Sequence, residues 1–95
     1  MLLVDDAHGT LVMGPRGGGV ADAAGLCNAV DVHIGTLSKA VGAQGGFIAC
    51  AHKVKQLLVN AGRSYMFSTA LPLPIVAAAL AALHVFHRCA DMSPL

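Results

Sequence analysis

Positions 14 to 19 read GPRGGG, four glycines and a proline within six residues, and no helix or strand of a core passes through such a stretch. Whatever precedes it must be one short element that ends early. LLVDDAHGT, residues 2 to 10, fits: three apolar residues, then two acids, a histidine and a glycine, the pattern of a buried strand whose last residues reach a site. All of LVMGPRGGGVADAAG, residues 11 to 25, reads as loop. AVDVHIGTL, 29 to 37, is a second strand, rich in β-branched residues and ending at Gly35, and GGFIACA, 45 to 51, is a third.

From Ala51 the period changes. Val54, Leu57, Leu58 and Ala61 fall at i, i+3, i+4 and i+7, with Lys53, Lys55, Gln56 and Asn60 on the other face, so the spacing predicts an amphipathic helix that Gly62 stops. RSYMFSTALPLP, 63 to 74, is a linker, and Ile75 to about His87 forms a last helix, apolar nearly all round. His84, His87 and Arg88 gather at its end, where cations suit the helix dipole. Strands alternating with loops and helices make the fold class α/β, in which functional residues cluster beyond the carboxyl ends of strands. Both DDAHG and GTLSK sit in that position.

Composition says what such a layer lacks. A chain of 95 residues buries only about two-thirds of its unfolded surface, yet 56% of the residues are hydrophobic, 12% are charged, and the mean hydropathy is +0.69. The excess apolar surface needs a partner, as in a piece of a larger protein. A net charge of +1 without basic runs, and only one Tyr and three Phe, argue against a nucleic-acid surface. Cys27, Cys50 and Cys89 show no C-x-x-C pattern and read as small buried hydrophobes of a reducing compartment. MLLVDDAHGT does not fit a secretory leader, and ALPLPIVAAALAALHVF, 70 to 86, falls short of the ~20 residues a membrane span needs. The compartment expected is the cytoplasm or an organelle, peroxisome or mitochondrion, with no targeting signal visible.

Lys39 follows Thr36 and Ser38 in a stretch too rich in glycine to be a helix face. A lysine held near a site can lose its proton more readily than one in water, and its free amine can then form a Schiff base with a carbonyl. Proteins most often keep such a lysine for pyridoxal 5′-phosphate, which asks for three things: a lysine for its aldehyde, an acid for its ring nitrogen and donors for its phosphate. Asp5 answers the second demand, His8 could donate to the ring oxygen, and Thr36, Ser68 and Thr69 offer hydroxyls for the phosphate. Each residue also has a plain structural reading: Lys39 solvated, Asp5 and Asp6 forming a turn, Thr36 and Ser38 capping backbone. Asp5 and His8 could begin a metal site, but no further ligands at short spacing complete one. GPRGGG lacks the Gly-Lys-Ser/Thr of a P-loop, TLSK matches S-x-x-K only loosely, and His33 and His52 stand alone as surface or structural residues.

Taken together, VDDAHGT at 4 to 10, GGGV at 17 to 20, DVHIGTLSKAVGAQGGFIAC at 31 to 50 and FSTALP at 67 to 72 resemble the α-oxoamine synthases, pyridoxal-phosphate enzymes of the aspartate-aminotransferase fold, and among them the biotin-forming branch. The likeness runs to about His87 and leaves only the tail RCADMSPL without a counterpart. It implies a fold with a mostly parallel sheet and helices, of which residues 1–95 would be part of the large cofactor domain, without its N-terminal part and the C-terminal small domain. It implies that Lys39 carries the cofactor and later moves the substrate's α-proton, that Asp5 pairs with the ring nitrogen, His8 with the ring oxygen and Thr36 with the phosphate. Ser68 and Thr69 would reach the phosphate of a neighbouring subunit, so a homodimer is implied. The implied reaction joins L-alanine to pimeloyl-CoA with loss of carbon dioxide and coenzyme A. Other branches stay open, of the glycine C-acetyltransferase, 5-aminolevulinate synthase or serine palmitoyltransferase type. So does a non-catalytic, truncated chain that pairs with a full-length subunit. On either view the isolated chain is expected to be inactive.

Overall fold

The structure is a computed structural model that describes residues 1–92. Its elements are β1 (Leu3–Asp5), α1 (Val20–Ala23), a 3₁₀ turn (Cys27–Ala29), β2 (Val32–Thr36), β3 (Gly46–Cys50), α2 (His52–Ala61), α3 (Arg63–Met66) and α4 (Leu73–Met92). The three strands form one sheet in the order β1-β2-β3.

The connections decide the strand directions. Residues 6 to 31 are long enough for a crossover, and β1 runs parallel to β2, pairing Leu3 with Val32 and Asp5 with Ile34. Residues 37 to 45 are too few for one. They fold back on themselves, with the Leu37 N–H donating to the Gly45 carbonyl at 2.9 Å and the Ala43 N–H to the Leu37 carbonyl at 2.7 Å. β3 therefore returns antiparallel to β2, from Thr36 opposite Gly46 to Val32 opposite Cys50. The α/β class holds, while this part of the sheet is mixed, one pairing of each kind. Gly35 faces Phe47 across the antiparallel pair, and a Cβ at 35 would collide with the Phe47 ring, so the glycine makes room for the aromatic on its neighbour.

α2 spans the residues its period predicts, but only Val54 and Leu58 of the apolar stripe are half-buried; Leu57 is 65% exposed and Ala61 is exposed too. Gly62 ends the helix without the left-handed turn of the usual glycine stop: its φ is −74°, and a side chain there would run into the Leu58 carbonyl. Two helices lie where loop and linker are expected, α1 within 11–25 and α3 within 63–74. Each is four residues, a single turn too short to show a period. α4 begins at Leu73, two residues earlier than the pattern suggests, because Pro74 falls in the first turn, where its missing N–H loses no helical bond. It also runs past His87 to Met92, so the described part of the tail is helical, and residues 93–95 lie outside the described residues. No helix among the described residues is long and apolar enough to cross a membrane.

The layer is thin. Its buried apolar residues are Ala21, Val32, Val41 and Ala79, and among the described residues no large side chain is fully buried. Accessible surface reaches 7023 Å², against roughly 5,100 Å² for a compact domain of this mass. Tyr65, Phe67 and Leu73 are each at least 70% exposed. The cysteines follow suit: Cys27 and Cys50 are half-buried and Cys89 exposed, rather than buried.

Candidate active site

Because β1 and β2 are parallel, their carboxyl ends lie on the same edge of the sheet, and the segments leaving them meet there. Asp5 is the last residue of β1. The chain then turns tightly, and the Asp5 carboxylate accepts the Ala7 N–H at 3.2 Å. Lys39 comes from the turn after β2, and its Nζ lies 3.1 Å from His8 Nε2. Lysine donation in this contact requires the His8 tautomer protonated on Nδ1. Asp5, Asp6, Ala7, His8, Gly9, Met13, Val20 and Lys39 line an open cleft of about 510 Å³.

Three candidates, Asp5, His8 and Lys39, are thus brought together. Thr36, the last residue of β2, lines no part of the cleft: its Oγ1 accepts the Ser38 N–H at 3.2 Å, shares a hydrogen bond with the Ser38 hydroxyl at 2.8 Å and donates to the Gly45 carbonyl at 3.2 Å. These bonds fix the turn that carries Lys39. Ser68 and Thr69 are exposed in the segment between α3 and α4 and line no part of the cleft. A second hollow of about 420 Å³, between His84, His87 and Arg88 on α4, contains none of the acids, hydroxyls or lysines considered above. Among the described residues no group of three or more His, Cys, Asp or Glu is placed to hold a metal ion.

Sequence reasoning missed the part played by two buried acids, one in the cleft lining and one in the glycine loop. Asp6 is 5% exposed, and its carboxylate accepts the Val20 N–H at 2.7 Å, tying the strand end to the start of α1. Asp22, 7% exposed, holds the glycine loop closed. It takes the Arg16 guanidinium at 2.8 and 3.2 Å, the Arg16 N–H at 2.9 Å and the Gly18 N–H at 3.2 Å. No periodic signal marks either residue; an acid on each side of a glycine cluster is the one hint the sequence holds.

The hydrogen bonds from Arg16, side chain first and then backbone, hold the Asp22 carboxyl below its ordinary value, and burial opposes them only in part. The Arg16 guanidinium is raised by the same pairing. A carboxyl depressed in the folded state stabilises the fold above the unfolded carboxylate range, and that contribution is lost as pH falls through the folded value. The Gly18 amide should therefore stay protected from hydrogen exchange at neutral pH and lose protection only in acid, below about pH 3.9. Arg16→Gln should move that loss to higher pH; no movement would mean that the pair does not hold the loop.

The amine and the carboxylate sharing one cleft fit two of the three demands of pyridoxal phosphate, with an imidazole beside them, while none of the three hydroxyls considered for the phosphate lines it. Lys39 is exposed, with His8 as its only side-chain hydrogen-bond partner among the described residues.

Known proteins carry a similar segment. An 8-amino-7-oxononanoate synthase of Arabidopsis thaliana is 56% identical over 88 residues, which cover 93% of this chain and 18% of that protein. A variant serine palmitoyltransferase from S. paucimobilis, solved with a bound PLP–myriocin aldimine, superposes with a TM-score of 0.84 at 38% identity, over 90% of this chain and 22% of that one. An 8-amino-7-oxononanoate synthase from Francisella tularensis superposes with a TM-score of 0.76 at 28% identity, over 95% of this chain and 27% of that one. The chain thus spans about a fifth to a quarter of the length of these proteins. The family model described as aminotransferase class I and II matches residues 1–92, and the chain belongs to that family.

Proposed function

We propose that this chain is the lysine-bearing part of an α-oxoamine synthase that binds pyridoxal phosphate, and that its branch is 8-amino-7-oxononanoate synthase. The observation that carries the reading is the meeting of Asp5, His8 and Lys39 in one cleft at the carboxyl ends of two parallel strands. When bound, the cofactor supplies an electron sink for the α-carbon of an amino acid. Lys39 holds it covalently, and once released its amine takes and returns the proton at that carbon. Asp5 holds positive charge at the ring nitrogen, and His8 donates to the ring oxygen. Thr36 would contribute to the phosphate site by turning its one hydroxyl hydrogen from the Gly45 carbonyl to the phosphate, and Ser68 and Thr69 would do so across a homodimer interface, in keeping with their place outside the cleft of their own chain.

The reaction proposed joins L-alanine to pimeloyl-CoA. A bond forms between the alanine α-carbon and the thioester carbonyl carbon, the C–S bond breaks to release coenzyme A, and the carboxylate leaves as carbon dioxide. The 56% identity to the Arabidopsis synthase favours this branch. A second reading, the serine palmitoyltransferase type, draws on the higher TM-score of 0.84 against that enzyme.

Grafting residues 1–92 in place of the matching segment of each of these two full-length enzymes separates the readings. Turnover of L-alanine with pimeloyl-CoA within about tenfold of the parent, together with loss of turnover of L-serine with palmitoyl-CoA in the other graft, is expected. The reverse pattern would assign the serine palmitoyltransferase type, and loss in both would overturn the proposal.

A further inference from the structure

Asp6 makes none of the proposed cofactor contacts, yet its N–H, its carbonyl and its carboxylate are all engaged. The N–H donates to the Ile34 carbonyl on β2 at 2.8 Å. The carbonyl accepts the Gly9 N–H at 3.1 Å, the Thr10 N–H at 3.0 Å and the Thr10 hydroxyl at 2.8 Å. The carboxylate accepts the Val20 N–H at 2.7 Å. Three pieces of chain therefore converge on one residue: the strand that leads to Lys39, the turn at 6–10 with His8 at its centre, and the far end of the glycine loop. Gly9 and Gly19 leave the space the carboxylate occupies, since a side chain at either would collide with it. Met13 and Val20 of the same loop line the cleft beside His8 and Lys39.

We infer that Asp6 is a positioning residue: it locks the 6–10 turn to the 11–25 loop and so keeps His8 against the Lys39 amine. The inference rests on the proposed roles of His8 and Lys39. What the site needs at position 6 is a buried acceptor of this reach. Leucine, with the same branched heavy-atom skeleton but bulkier methyl ends, leaves the Val20 N–H without its partner. Asparagine keeps an acceptor in the same place.

Trypsin reads the loop directly, because the Arg16 side chain is 78% exposed and is followed by Gly17. Cleavage tracks the population of the opened loop. Asp6→Leu in the full chain should raise cleavage after Arg16, relative to cleavage after Lys53 in α2, about tenfold. It should lower the borohydride-fixed pyridoxyl label on Lys39 by a similar factor, while Asp6→Asn leaves both readings within about twofold of the unsubstituted chain. No change with leucine, an asparagine variant as impaired as the leucine one, or an equal rise in cleavage at both sites would each overturn the inference, the last by making Asp6 merely structural. Should the unsubstituted chain take no label, the reading of Lys39 fails, and the tryptic ratio alone decides the role of Asp6.

Discussion

Lys39→Ala in the grafted 8-amino-7-oxononanoate synthase should lower turnover by roughly 10²- to 10⁴-fold, the range for removing a positioned proton carrier. The amine lies in the cleft 3.1 Å from His8, on a turn fixed by Thr36 and Gly45, so on the proposed roles its loss would take away both the covalent hold and the base without unfolding the turn. Lys39→Arg should fail to restore activity, since a guanidinium stays protonated and cannot serve as a base. Activity of the alanine variant within a few-fold of the parent would remove Lys39 from the chemistry. The retained fold of the graft, checked by circular dichroism, makes that outcome readable.

The second large effect is on stability. Gly19→Ala places a side chain at φ 83°, ψ −159°, a region essentially reserved for glycine, which costs about 1–3 kcal/mol. The new Cβ also collides with the Asp6 carboxylate and displaces it from the Val20 N–H, a loss of about 1–3 kcal/mol more. Small domains have only about 5–15 kcal/mol in total, and this chain has a thin core, so the urea midpoint should fall by about 1 M or more. Gly25→Ala is the control: its φ of 69° gives the backbone strain alone, because a Cβ there meets nothing within 4 Å. Equal effects at 19 and 25 would mean that the Asp6 contact contributes nothing.

What was legible in the sequence follows from the range of each interaction. β2 and β3 are marked by their β-branched and apolar residues, and α2 by its period, because those signals are local and repeat. Asp5, His8 and Lys39 could be singled out because polar residues at strand ends stand out against apolar runs. That His8 and Lys39 touch could not be read, since 31 positions separate them and only the parallel pairing of β1 with β2 brings them together. α1 and α3 escaped because one turn has no period. Asp6 and Asp22 escaped because a buried carboxylate looks like any turn-forming acid until its partners, here backbone amides across a glycine loop, are known. The direction of β3 rests on the shortness of the 37–45 connection, a clue present in the sequence.

On the proposed function, these residues by themselves form a site that takes pyridoxal phosphate on Lys39. The chain should be mixed with the cofactor, reduced with borohydride and mapped by mass spectrometry, with Lys39→Ala alongside. One dominant pyridoxyl adduct is expected, on Lys39, absent from the variant. A label spread evenly over Lys39, Lys53 and Lys55, or no label at all, would contradict it.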